Sequence, residues 1–500
     1  MITYQDYEER LNNGESIESI IDTFIGSHKS SDEYKLCLVA DEYDAQRNTT
    51  ILQFVQMIFS VTGERIVDPT ASNNKICSNF FHRLNTQRNT YLLGNGVSFA
   101  DNKEEVINED GTKTTIDHTK EALGPKFDTD LKDAGYKALI HGVSFGFWNL
   151  DRLQVFKLTE FVPLWDEDTG DLRAGIRFWQ LDKLKPVYAV FYEVDGYTKY
   201  KKVKADPFVV VQEKRPYKQI VQKSEADGEE IVGGENYPGF PIVPFWGSKL
   251  HQSTIVGMRG GIDSFDLIRC GFANDLTDCA QIYWLIGNAG GMNDDELARF
   301  RDRLKLNHIA VADTENSTVT PYTQEIPSNA RKIFLDDIRS GIYEDFGGLD
   351  VHTVAAGATN DHIDAAYQPL DEEADDYEYQ VIEFIQRILA LQGIEDTPIF
   401  KRNRISNQKE MTDMILSAAE YLDDETILNK LPFVSVDEVS AILAKKDEET
   451  ADMFEQEEEE DEFPDEDNLG LDDLEDDMDA DAWGDDVDAQ IDELERLLEE

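Results

Sequence analysis

Few residues of this 500-residue chain are spaced for chemistry. His352 and His362, with Asp361 and Asp364, are donor types a divalent cation accepts, but they lie in a small polar stretch and read as surface residues. Asp465, Asp467 and Gly470 reproduce half of a calcium loop. Leu469 stands where an oxygen ligand is required and the twelfth position is Asp476 instead of glutamate, so only loose cation binding is expected there. Gly94-Asn95-Gly96 opens a dinucleotide fingerprint, yet it lacks the third glycine and follows a helical pattern instead of a strand. There is no Walker A sequence, no HExxH and no GxSxG, and no spacing recommends a lone Cys or Ser as nucleophile. Lys199, Lys201, Lys202 and Lys204, interleaved with Tyr197 and Tyr200, are types that contact nucleic acid. Alternating lysines on a strand are read first as a solvated face or an edge guard. From these patterns no catalytic residue, cofactor or metal site is expected.

Charge bounds the partners. Against 47 basic residues stand 103 acidic ones, a net −56. From Asp447 onward 29 acids meet one base, Arg496, so half of the net charge lies in the last tenth of the chain; the preceding 446 residues carry the other −28. Such a surface repels phosphate, which argues against tight, sequence-specific clamping of duplex nucleic acid and suits a surface past which it slides. Cys37, Cys77, Cys270 and Cys279 are sparse and lack CxxC spacing, pointing to a reducing compartment and no zinc ribbon; Cys279 reads as a small core residue on an apolar helix face. The first residues show no basic leader or apolar h-region. No apolar run approaches the ~18 residues of a membrane span. A cytosolic product with no membrane partner is expected, large enough for two to four cooperative units.

The elements follow from periodicity. From Ile255, the residues Met258, Ile262, Phe265, Ile268, Phe272, Leu276, Cys279, Tyr283 and Ile286 recur every three or four positions. That is one buried face of a helix of roughly 50 Å. The Gly260-Gly261 pair weakens it, so a kink or a later start is expected. A second helix over Ser328 to Phe346 carries Phe334, Ile338, Ile342 and Phe346 and stops at Gly347-Gly348. Between them a short acidic-to-basic helix, Asn293 to Leu304, precedes two strands, His308 to Ala312 and Thr318 to Thr323, joined as a hairpin. Asp350 to Asp364 reads as an exposed, mobile loop.

Upstream, residues 2–60 read as peripheral helices, with Ile17, Ile20, Ile21 and Phe24 on one face and Ile51, Phe54, Val55 and Ile58 on another. Ile76, Phe80, Leu84 and Tyr91 to Leu93 mark a helix running into Gly94, with a strand from Val97. A helix over Asp128 to His141 feeds an antiparallel sheet to Val211, with a hairpin at Asp195-Gly196; Pro238 to Trp246 is extended by its three prolines. Downstream, Leu370 to Leu391 reads as a long helix. A basic cluster at Lys401, Arg402 and Arg404, three short helices to Ala444 and a disordered tail follow. In the tail Val487, Ile491, Leu494 and Leu498 have helical spacing that could fold against a partner.

The order of these features resembles the portal proteins of tailed bacteriophages, of the siphovirus type. The resemblance rests on Asn73-Asn74-Lys75-Ile76 leading to Tyr91-Leu92-Leu93-Gly94-Asn95-Gly96-Val97, on Ile242-Val243-Pro244-Phe245 before the long helix, and on Gly261-Ile262-Asp263-Ser264-Phe265-Asp266 within it. It covers roughly Asn73 to Ala444. The chain departs from the family at Trp246-Gly247-Ser248, where asparagines are common, and at Asn360 to Asp364, where a Ser-Gly-x-Ala-Leu sequence is common.

The resemblance implies an α+β, portal-type fold. N-terminal helices and an α/β wing would span 1–250, the first stem helix 251–287, the clip 288–327, the second stem helix 328–348, and the tunnel loop 349–366. A wing helix over 367–405, a helical crown over 406–446 and an acidic disordered tail over 447–500 would complete it. Stem packing would fall to Ile262, Phe265, Phe272, Leu276, Phe334, Ile338 and Ile342. DNA would be faced by His352, Thr353, Thr359, Asn360 and His362, and partners would be met by Asp294, Asp295, Glu296, Arg299 and Arg301 of the clip. Such proteins form rings, typically of twelve subunits, at one capsid vertex. Double-stranded DNA passes through for packaging and ejection, the terminase large subunit docks on the clip, and head-completion or adaptor proteins follow. Major capsid and scaffold proteins are further partners. The implied locations are the virion and, during assembly, the host cytoplasm. A competing reading, a phage-encoded metal-dependent nuclease or capsid-associated enzyme with scattered catalytic acids, stays open at this point.

Overall fold

The computed structural model describes residues 2–59, 63–68, 71–107, 113–224, 228–279, 283–287, 318–322, 328–351, 359–404, 408–419 and 423–431, with a few single positions between 293 and 299 and between 439 and 445. The expected strand over His308 to Ala312, much of the expected crown and the whole tail from Asp447 lie outside these. The chain divides into two units, Met1–Met414 and Ile415–Glu500.

Unit one opens with four helices, α1 (Tyr4–Asn12), α2 (Ile17–Ser30), α3 (Asp32–Asp44) and α4 (Thr49–Gln53). Thr3 and Asp6 cap α1 reciprocally, and Ser16 and Ser31 cap α2 and α3, satisfying donors a helix start leaves open. The expected helical face through Ile58 ends early. Ile51 is buried, but Phe54, Val55 and Ile58 are exposed, and β1 (Met57–Phe59) pairs with β2 (Arg65–Val67) as a small hairpin. Its β-branched and aromatic residues suit a strand better than a helix.

Next come α5 (Phe80–Leu93), β3 (Val97–Phe99), the hairpin β4 (Lys103–Ile107) and β5 (Lys113–Asp117), α6 (His118–Leu123) and α7 (Phe127–His141). A three-stranded sheet then uses β6 (Val143–Asn149) and β7 (Arg152–Lys157). A five-stranded antiparallel sheet follows from β8 (Phe161–Trp165), β9 (Leu172–Gln180), β10 (Val187–Glu193), β11 (Gly196–Lys202) and β12 (Val209–Arg215). Since β11 pairs with both β10 and β12, Lys199 and Lys201 guard no edge; Lys199 is exposed, which agrees with the solvated-face alternative. The hairpin β13 (Lys218–Ser224) and β14 (Gly228–Glu235) precedes β15 (Ile242–Trp246), the proline-bounded segment, which pairs with β6.

The remaining elements are α8 (Ile255–Cys279), β16 (Tyr283–Gly287), β17 (Thr318–Tyr322), α9 (Ser328–Phe346), α10 (Asn360–Gln392), β18 (Pro398–Phe400), α11 (Gln408–Ser417) and α12 (Asp424–Lys430). The architecture is mixed α+β. Its largest core lies where α5, α7 and α10 cover the three-stranded sheet, with Phe384 stacked on Phe245 at 4.6 Å. Gly146 makes room for this contact, since a Cβ there would sit 2.4 Å from Phe384 Cζ. A second core forms where Ile20, Ile21, Phe24 and Ile25 of α2 pack on the far face of the five-stranded sheet. Among the described residues no helix is long and apolar enough to cross a membrane.

Candidate functional site at the paired helices

Helices α8 and α9 run antiparallel. Gly261 faces Ile342, and fourteen residues further along α8 Asp275 pairs with Arg331, whose guanidinium lies 5.7 Å from the Phe272 ring. The same order continues beyond them, with Tyr283 opposite Tyr322 and Gly287 opposite Thr318. Two structural differences follow. The first helix has 25 residues, about 38 Å instead of 50 Å. Tyr283 and Ile286 belong to a strand, and that strand is the partner of Thr318–Tyr322. The run from Tyr283 to Ile286 includes two aromatic residues and one β-branched residue, types enriched in strands. The glycine pair neither interrupts nor delays α8, which starts at Ile255 and runs through it. Gly261 brings the helices close, because a Cβ there would approach Ile342 Cγ1 to 3.0 Å.

The body grips α8 with polar contacts. Asp266 is fully buried and accepts from Asn48 Nδ2 and from the Ser78 backbone N–H, each at 2.9 Å. Burial pushes its carboxyl above the ordinary range, against the pull of those donors. Asp263 accepts from the Thr50 hydroxyl at 3.0 Å and from Tyr43. Further along, Asn274 Oδ1 accepts from the Asn74 N–H at 2.7 Å, and Cys270 Sγ lies 3.2 Å from the Ile76 N–H. Residues 74–78 thus lie against α8 as an extended strap. Of the stretches that carry the family resemblance, Asn73 to Ile76 lies against α8 between Cys270 and Thr277, while Gly261 to Asp266 is reached at Asp266 by Ser78, two residues after the first stretch.

At the C-terminal end of α9, Arg88 is buried with its guanidinium 4.1 Å above the Phe346 ring, donates to the Phe346 carbonyl, and pairs with Glu373 of α10 at 3.0 Å. Gly347 turns the chain with φ +67°, a left-handed value that favours glycine. Gln87 donates to the Leu349 carbonyl at 2.9 Å and accepts from its N–H at 3.0 Å, and Arg339 pairs with Asp350 at 2.8 Å. The chain entering the expected tunnel loop is therefore pinned on three sides.

The far side is pinned as well. Helix α10 begins at Asn360 and not near Leu370, because Ile363, Tyr367, Leu370 and Ala374 are already buried at helical spacing. Pro369 inside it disguises the pattern. Arg404 reaches Asp364 at 3.0 Å and also meets Asp371, Arg402 meets Asp371 at 2.8 Å, and the Tyr91 hydroxyl donates to Asp371 at 2.6 Å. Burial alone would raise the Asp371 carboxyl, but bonds from Tyr91, Arg404 and Arg402 hold it below the usual range. The basic cluster is thus engaged by the acids of α10.

Of the residues expected to pack the helix pair, Ile262 and Ile342 are buried and Phe265 and Ile338 half-buried against the same cluster. Leu276 and Phe334 differ: 53% and 48% of their surface stays exposed. Thr359 precedes α10, and Asn360 and His362 sit in its first turn instead of a loop; His352 and Thr353 lie outside the described residues. Asp295, Glu296 and Arg299 are exposed and helical, and Asn293 and Glu296 cap that helix reciprocally at 3.0 and 3.1 Å. Asp294 and Arg301 lie outside the described residues. Among the described residues no group of three or more His, Cys, Asp or Glu is arranged to hold a metal ion.

Comparison with known proteins gives this geometry a family. The family described as phage portal protein, SPP1 Gp6-like, matches residues 41–462, a longer span than the motifs alone suggested. The portal protein of Clostridium phage phiCD119 is 23% identical over 395 residues, 73% of this chain and 82% of that one. The portal protein of Bacillus phage SPP1 is 23% identical over 409 residues, 75% and 76% of the two chains. These matches give no support to the nuclease reading. The chain belongs to the phage portal proteins of the SPP1 Gp6-like family.

Proposed function

We propose that copies of this chain close head to tail into a ring, typically of twelve, at one vertex of a phage capsid. Duplex DNA passes through it during packaging and ejection. In this reading α8 and α9 are the stem, residues 288–327 the clip on which the terminase large subunit and later head-completion proteins dock, and the segment between α9 and α10 the tunnel loop. The α/β body is the wing, meeting capsid and scaffold proteins, and the role is structural and not catalytic.

One observation carries the ring. Around the Asp275–Arg331 pair the two helices leave Leu276, Ile333 and Phe334 exposed in a single chain. A neighbour's identical pair can cover them in a heterologous contact that closes on itself. The acidity supports the conduit, because carboxylate-lined walls offer DNA no deep electrostatic well. The pinned chain on either side of the loop supports a loop of fixed origin. Electron microscopy with light scattering, at low and moderate salt to screen like charge, tests this: rings with a central hole wide enough for a duplex are expected, and a uniform monomer or compact dimer in every condition would refute it. Charge-neutral substitutions at Thr359, Asn360 and His362 should leave rings intact and alter DNA packaging or retention.

A further inference from the structure

One stretch of this acidic chain is basic. From Lys199 to Lys223 eight Lys or Arg residues face two acids, Asp206 and Glu213. It builds β11, β12 and β13, and β12 is the outer strand of its sheet. The opposite outer strand, β8, is bridged by Thr3 at Trp165. Along β12 Val209, Val210 and Val211 are exposed.

At the end of the sheet where β9 turns into β10 and β11 leads to β12, apolar and cationic groups crowd together. Leu181 and Leu184 are 83% and 92% exposed at the β9–β10 turn, with Val203 exposed at the next connection. Lys183, Lys185, Lys201 and Lys204 surround them and make no ion pair among the described residues, whereas Lys202 is held by Asp22 at 2.6 Å and Lys214 by Glu193 at 2.9 Å. Lys201 leans over Tyr188, which stacks on Trp179 at 5.8 Å. Exposed leucines beside unpaired lysines suit a ligand that is apolar on one side and anionic on the other.

The chain carries such a segment. Val487, Ile491, Leu494 and Leu498 are spaced as one face of a helix, and the positions between them include Asp488, Asp492, Glu493 and Glu495 with one base, Arg496. We propose that residues 487–500 of one copy dock as an amphipathic helix on the basic, leucine-tipped end of the five-stranded sheet of a neighbouring copy. This rests on the ring reading above, in which every copy offers one such end and one such segment to different neighbours.

The test uses the full chain, prepared with natural and with heavy nitrogen, mixed before assembly and checked for rings by electron microscopy. A zero-length carbodiimide then joins lysine amines to carboxylates, and mass spectrometry locates the links. Hybrid-mass links from Lys183, Lys201 and Lys204 to Asp488 through Glu495 should exceed those to exposed control lysines, Lys35 and Lys126, by about fivefold, and the excess should fall at high salt. The Leu181→Ser/Leu184→Ser chain, altered only at fully solvated turn positions, should lose most of that excess while still forming rings. Rings whose tail links spread evenly over all exposed lysines, or join residues of one chain only, would overturn the docking alone. Chains that form no ring under any condition would overturn both it and the ring reading.

Discussion

The two halves of the α8–α9 pair are built from similar residues and live in different surroundings. In the body-ward half Ile262 and Ile342 are buried in one cluster with Met258, Tyr343 and Phe346, and α8 is tied to the body through Asp263 and Asp266. In the outer half Leu276, Ile333 and Phe334 are just as apolar but exposed, with the Asp275–Arg331 pair as a lateral tie. Helical spacing shows which residues share a face; it does not show whether the face is covered by the same chain. The comparison assigns the inner half to folding and the outer half to assembly, so substitutions in the two should separate stability from ring formation.

The largest effect on the folded chain is expected inside. Ile342→Ala removes a buried side chain against Gly261 and should cost about 3 kcal/mol, read as a lowered denaturant midpoint. Next is Asp266→Asn, which keeps one acceptor and turns an amide NH2 toward one of the two donors, Asn48 Nδ2 or the Ser78 N–H; a loss of about 2 kcal/mol is expected, and wild-type stability would show that the strap does not hold α8.

A smaller effect is expected at the loop's far anchor. Because Asp371 is held below its ordinary pKa, its contribution is present above about pH 4 and disappears as pH falls through the lowered folded value. Arg404→Gln weakens this, so the variant should be less stable than the parent at pH 7, and the gap should narrow at pH 3. A gap that stays constant would mean the network does not couple to Asp371. Smallest for the isolated chain are Leu276→Ser and Phe334→Ser, expected within about 0.5 kcal/mol in unfolding. The same chains should give markedly fewer rings in light scattering. A large loss of chain stability with normal rings would invert the comparison.

The long-period elements were legible in the residues themselves. Ser328 to Phe346 is one helix with its stop at Gly347, the Asp195-Gly196 turn joins β10 to β11, and the segment expected to be extended from Pro238 is a strand over Ile242–Trp246, with bends at Pro238, Gly239 and Pro241 before it. Local signals misled where two were superposed. Pro369 hid the first ten residues of α10, and apolar spacing carried α8 too far because Tyr283 and Ile286 also suit a strand. At the candidate site, Arg88, Gln87, Asn48 and Ser78 had no signal of their own, because each matters through a partner between about 190 and 290 positions away.

By itself the sequence determined the elements with one strong period, the separation of a densely acidic tail from a body with apolar periodicity, and the order of features that places the chain among portal proteins. Those properties are local or compositional, and they persist in any conformation of the chain. The tertiary structure alone decided that residues 74–78 strap α8, that the basic cluster at Arg402 and Arg404 is neutralised by α10, and that Leu276, Ile333 and Phe334 of the helix pair stay exposed. Each depends on which surfaces meet across long sequence separations, where a hydrogen bond or buried contact exists only after the loop between its partners has been closed.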